Sequence, residues 1–361
     1  MATVNDRLAD AGIAHAIDLT RYSNGVVRRM IRLLNQADAE LFAQLMIVLE
    51  RLPPESFTVQ RLDQLLVSVE RLNAAAYLSI GAELDTELVA LAGYEASHQH
   101  QLLSSVLPVK VAESFTVNTV TAQQVHAAAM SRPFQGKLLR EALKEIEVAR
   151  AMRIRDAVRM GFVEGETVSQ MVRRIRGTRA NHYADGLLEI DRRGAEALVR
   201  TAVNHTANYA RQAVYEANSD LVQEWQFLAT LDGRTTITCA SLSGKTFPVG
   251  KGPMPPRHWN CRSTSVPVLT SAWEALGLSK SEIDPGTQAS MDGQVAADMN
   301  YSQWLRTKSA SFQDEVLGAE RGKLFRDGKI DIDRFTDSKG KVYTLDQLRE
   351  RDAALFKRAG L

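Results

Sequence analysis

Apolar residues recur three and four apart through most of the first 217 residues, and that period decides the fold class. In VVRRMIRLLNQADAELFAQLMIVLERL, Val27, Met30, Ile31, Leu34, Leu41, Leu45 and Leu49 mostly keep this spacing, with charges between them. Such a stripe belongs to an amphipathic helix rather than a strand. Pro53-Pro54 closes it, because proline disfavours helical geometry in the residue before it and offers no amide hydrogen. A second helix is expected over roughly 58–93. Residues 103–125, richer in Val, Ser and Thr, read as a linker with little helix.

The helical pattern resumes at Gly136 with an uneven charge. Glu141, Glu145 and Glu147 precede Arg150, Arg153, Arg155 and Arg159, an order that suits the helix dipole. TVSQMVRRIRG is a self-contained element. Thr167 and Gln170 fit a capping box, Met171 and Ile175 share a face, and Gly177 is placed to stop the helix. From Lys137 to Arg179 there are eleven basic and six acidic residues. A solvated charged face explains that excess. A nucleic-acid contact through Arg150, Arg153, Arg173, Arg174 and Arg176 is the alternative. The next helix carries Val199, Val203, Thr206, Ala210, Val214 and Ala217 on one stripe, and its His205 reads as structural.

After Ser219 the texture changes. EWQFLATL, GKTFPVG and RSTSVPVLT read as short strands separated by glycine, proline and polar residues. The fold class is therefore α+β and predominantly α-helical: a helical N-terminal region and a helical body carrying a small loop-rich β unit. In sequence order this gives a helical region at 1–110, a linker at 111–135, a main domain at 136–272 with the β unit at 222–270, and a helical tail at 273–361. At 361 residues, more than one domain is expected. A net charge of +1 selects no partner class. No apolar run is long enough for a membrane helix, and the N-terminus lacks the pattern of a secretory signal. Two cysteines make no disulfide framework, so both are expected as thiols in a reducing cytosol.

A unit this small buries little apolar surface and calls for an extra tie. Asp232, Cys239, His258 and Cys261 all lie in it, the last two spaced H-x2-C. Thiolate and imidazole suit zinc, and four such ligands make a structural tetrahedral site, with Asp232 its weakest member. Three other readings stand beside one structural zinc. His258 and Cys261 could hydrogen-bond a loop stiffened by Pro255 and Pro256. They could form a nucleophilic Cys/His pair, or Cys239 and Cys261 could join as a disulfide. Asp232, in LDGRTT, also fits an Asx-turn onto the amide two residues on.

LDGRTTITCASLSGKTFPVGKGPMPPRHWNCRSTSVPV resembles the hallmark of the phage Mu F-like head-morphogenesis family, the minor capsid proteins of tailed bacteriophages. The residues that carry the likeness are Asp232, Arg234, Thr235, Cys239, Gly244, Phe247, Pro255, Pro256, His258, Cys261 and Arg262. Arg200 and Thr201 fit the preceding helix, and Trp304, Gln313, Leu317, Gly318 and Arg321 fit a tail seen in many members. The likeness spans roughly 140–345. Some members have another cysteine after the Cys-Arg pair, where this chain has Ser263, which weakens the case for zinc. The resemblance implies a non-enzymatic virion protein of the phage head, made in the host bacterial cytoplasm. Its implied partners are the portal and the major capsid or scaffold proteins in the procapsid interior, with non-specific double-stranded DNA as a further one. A metal-dependent hydrolase using the Cys/His motif and a dedicated DNA-binding head protein are the rival expectations.

Overall fold

A computed structural model describes residues 4–50, 59–107, 109–113, 115–269, 287–296, 299–338 and 340–361. Helices α1 (Val4–Glu50), α2 (Val59–Val106), α3 (Val109–Ala112), α4 (Ala122–Ser131), α5 (Leu139–Val163), α6 (Val168–Arg176) and α7 (Glu189–Ala217) come first. The β unit follows as β1 (Val222–Leu228), α8 (Ile237–Leu242), β2 (Thr246–Pro248) and β3 (Thr264–Leu269). Next are the hairpin β4 (Thr287–Ser290) and β5 (Gly293–Ala296), then α9 (Tyr301–Arg306), α10 (Ala310–Leu317), α11 (Ala319–Arg326), α12 (Leu345–Arg351) and α13 (Ala353–Arg358). The fold is α+β and predominantly helical, with a small antiparallel sheet.

Three features differ from the sequence expectation, the first being that the β4–β5 hairpin lies inside the 273–361 tail expected to be helical. Helix α2 runs on to Val106 because Ala92, Ala96, Gln99, Leu103 and Val106 continue its buried stripe at spacings of three and four. Helix α4 occupies the middle of the expected linker and buries Val125 and Ala129. The Pro53-Pro54 stop lies outside the described residues.

The chain divides into two compact units that do not follow sequence order. The long helices explain this, since α1, α2 and α7 each contribute residues to both, whereas a division in sequence order keeps each helix whole. One unit comprises Arg21–Ala90 and Met130–Val203. Its core joins Leu41, Phe42, Leu45, Leu66 and Val69 to Ile154, Val158, Met171, Ile175 and Leu188. Helix α6 has the termini its sequence predicts: the Thr167 hydroxyl accepts from the Gln170 amide, Gln170 answers in a full capping box, and Gly177 ends it at φ 86°. Gly161 lets α5 and α6 touch, since a Cβ there would lie 2.4 Å from Met171 Cγ.

The other unit comprises Met1–Thr20, Leu91–Ala129 and Asn204–Leu361. Its sheet has the order β2-β1-β3, antiparallel throughout. Proline cannot donate to a ladder, and Pro248 and Pro267 sit on the two edge strands, which leaves β1 as the centre. Trp225 and Phe227 of β1 are fully buried, and Trp225 packs on Phe247 of β2 with ring centroids 5.1 Å apart. A second core in this unit gathers Tyr301, Trp304, Leu305, Leu317, Leu324, Phe325, Phe335 and Phe356 around Leu231 and Ala240. The C-terminal helices are thereby packed onto the β unit. Gln313 donates to the Leu305 and Lys308 carbonyls, and Arg321 to that of Tyr343.

Candidate functional site

Helix α8 starts at Thr236, whose hydroxyl accepts the Cys239 amide at 3.4 Å and fixes that residue in the first turn. The second arm is the HWNC turn. The Cys261 amide donates to the His258 carbonyl at 3.1 Å, and Asn260 takes a left-handed φ of 58°. Asparagine tolerates that conformation, which the third position of a type II turn requires. The turn folds His258 back over Cys261. Pro255 and Pro256, joined by a cis peptide bond, are buried behind it.

The outcome is a three-residue cluster. One ring nitrogen of His258 and the sulfurs of Cys239 and Cys261 all lie within 4.8 Å of one another, and the two sulfurs are 3.7 Å apart. Both cysteines are buried and free, while His258 is half-buried. The Cys261 thiol is held well below its ordinary range, chiefly by a hydrogen bond from Cys239. Burial opposes this, and His258 and the Arg257 amide add to it. The same bond pushes Cys239 well up. Burial pulls His258 down, but its bond to Cys261 and the charge there win and raise it. A thiolate beside an imidazole can ligate a metal or attack a carbonyl. Cys261 is only 3% exposed, so its sulfur is largely shielded from solvent.

Asp232, expected as a fourth ligand, lies outside this three-residue group. Arg262 grips both its carboxylate oxygens, with Nη2 to Oδ1 at 2.8 Å. Its Oδ1 also accepts the Arg234 amide at 2.9 Å, the Asx-turn its sequence context allows. Burial would raise its pKa, but the Arg262 hydrogen bond and charge lower it. Tyr301 donates to the Asp232 carbonyl at 2.7 Å, so the same residue ties the C-terminal helices to the site. His205 lies outside the cluster and bonds the Ala129 carbonyl at 3.0 Å.

The basic set is largely committed inside its own unit. Arg150 is 2% exposed and paired with Asp38, to which Arg192 also donates at 3.0 Å. That removes Arg150 from any surface contact. Arg153 is bound to Asp191, and Arg174 to Glu164 and Glu166. Arg176 is exposed with its guanidinium 4.7 Å over the Tyr183 ring, and Arg173 is exposed.

Sequence reasoning missed the polar face of α7. Asn204 donates to the Cys261 and Ser263 carbonyls, the latter at 3.2 Å. The Asn208 side-chain oxygen accepts both the Ser265 amide and its hydroxyl at 3.1 Å. Arg211 and Tyr215 reach the Ser265 carbonyl, and Arg211 also donates to the fully buried Glu95 at 2.7 Å. Glu95 in turn holds His15 at 2.6 Å. Asn204, Asn208, Arg211 and Tyr215 fall at i, i+4, i+7 and i+11. A polar line at helical spacing in an alanine- and valine-rich helix is the signal that marks them.

Residues 152–266 match the family model described as Phage Mu protein F like protein. This match runs from within α5 to within β3 and contains the whole Cys-His-Cys cluster; it is shorter than the 140–345 expected. No curated protein matches the chain, and no solved structure does.

Proposed function

We propose that this chain is a structural, minor protein of a tailed-bacteriophage head that acts in head morphogenesis. The supporting observation is the Phage Mu F-like match at 152–266, together with the use the fold makes of the motif it contains. Asp232, Cys239, His258, Cys261 and Arg262 cross-connect the loops of a three-stranded sheet, and α7 binds the last of those strands through Asn208 and Arg211 and the turn leading into it through Asn204. Residues spent on internal ties serve a scaffold better than a reaction. On this reading the chain docks on the portal and faces the procapsid interior, beside capsid or scaffold proteins. Any contact with packaged duplex DNA would fall to Arg173 and Arg176 and be weak, salt-dependent and blind to sequence.

The test is genetic. In the phage that encodes it, a nonsense mutation in this reading frame should yield lysates with aberrant or empty heads, and supplying the chain in trans should restore filled ones. Normal titres of filled heads without the chain would overturn the reading.

A further inference from the structure

The two sulfurs of the cluster are separated by the distance a metal ion would impose. Zinc–sulfur bonds of about 2.3 Å at a tetrahedral angle put two ligand sulfurs roughly 3.8 Å apart. Cys239 and Cys261 stand at 3.7 Å. That is close to the zinc value and far longer than the roughly 2.05 Å of a disulfide. The histidine is oriented in the same sense. Its Nδ1 is 2.8 Å from the Trp259 carbonyl, which can only accept, so Nδ1 carries a hydrogen and Nε2 is the nitrogen left to face a metal. Ligating histidines commonly donate their other ring N–H to a backbone carbonyl in this way, which fixes the tautomer. A polar side chain lies next to the three ligands. Ser263 is buried, and its hydroxyl faces the Cys239 sulfur.

We propose that Cys239, His258 and Cys261 bind one Zn²⁺ as a structural clip, with an oxygen on the Ser263 side completing the tetrahedron. Two thiolates balance the ion's charge, and the thiol protons leave to solvent as it binds. The clip joins α8 to the HWNC turn, two segments of the small β unit with no ladder bonds between them. The inference rests on this geometry and holds whether or not the chain serves in a phage head.

The full-length chain, purified without chelators, should carry one zinc per molecule by elemental analysis. Exchange for Co²⁺ should give the thiolate-to-metal charge-transfer band and the intense visible bands of a tetrahedral ion. Cys239→Ser, Cys261→Ser and His258→Ala should each weaken binding by more than the roughly 10–100-fold that loss of an outer partner costs. Ser263→Cys provides a gain in place of a loss: zinc should bind more tightly, and the cobalt charge-transfer intensity should rise as two thiolates become three. Because the wild-type and Ser263→Cys measurements do not depend on a damaged variant folding, they decide the matter. Sub-stoichiometric zinc with an octahedral cobalt spectrum, two thiols that titrate equally with and without chelator, or a Cys239–Cys261 disulfide in the isolated chain would each overturn the proposal.

Discussion

Glu95→Gln tests the polar frame behind the site most sharply. Glu95 is fully buried between the Arg211 guanidinium at 2.7 Å and His15 at 2.6 Å, and Arg211 is itself 1% exposed. Burial alone would raise its pKa. The charge of Arg211 and the bonds from His15 and Arg211 outweigh burial and lower it from 4.5 to about 2. A folded-state value below the unfolded one stabilises the fold above the unfolded pKa, and the contribution is lost as pH falls through the folded one. The shift corresponds to about 3 kcal/mol, present at neutral pH and disappearing between roughly pH 4.5 and 2. The substituted amide keeps the shape of the carboxylate but leaves a buried guanidinium without its counter-charge, so the variant should lose about 3–5 kcal/mol. The described tryptophans, Trp225, Trp259 and Trp304, lie in the unit that holds Glu95, so their fluorescence follows that unit's unfolding. Urea is the denaturant to use, because it leaves ion pairs unscreened. The wild type should lose stability across the acid window, and Glu95→Gln should show a flatter profile there. A loss under about 1 kcal/mol at neutral pH, or an unchanged acid profile, would refute the reasoning.

Other substitutions read single ties. Asn208→Ala strands the buried Ser265 amide and should cost about 1–3 kcal/mol in the same urea assay. Arg150→Ala leaves Asp38 buried with only Arg192 beside it and should lower the melting temperature markedly, by circular dichroism, while Arg173→Ala should leave it unchanged. Thr167→Ala removes the α6 cap and should cost about 1 kcal/mol in chemical denaturation followed by circular dichroism. If duplex DNA binds at low salt, reversing the charge at Arg173 and Arg176 should abolish it in a gel-shift assay, while Arg153→Ala should have little effect.

What the sequence disclosed depends on how far each interaction reaches along the chain. Helix α6 was readable to its caps because a capping box spans three residues and a glycine stop is local. The three strands were readable from their composition, and the prolines on β2 and β3 hold the clue to which strand is central. The H-x2-C spacing foretold that His258 and Cys261 meet, because one turn closes it. Asp232 was ambiguous, since the Asx-turn is local but Arg262 lies thirty residues on. Arg150 read as a surface cation because its partner Asp38 is 112 residues away. The same holds for Arg211 and Glu95, 116 apart, where neither periodicity nor composition betrays a buried ion pair. Helix α4 was hidden because it is short and rich in alanine, with Val125 and Met130 its only large apolar residues, although it buries Val125 and Ala129 against its own unit.

The central claim is that this chain is a component of a phage head, and its presence in the particle tests that most directly. Quantitative mass spectrometry of gradient-purified procapsids and virions from the phage that encodes it should find its peptides at a small, fixed ratio to the major capsid protein. Abundant chain in the lysate with none in either particle would contradict the account.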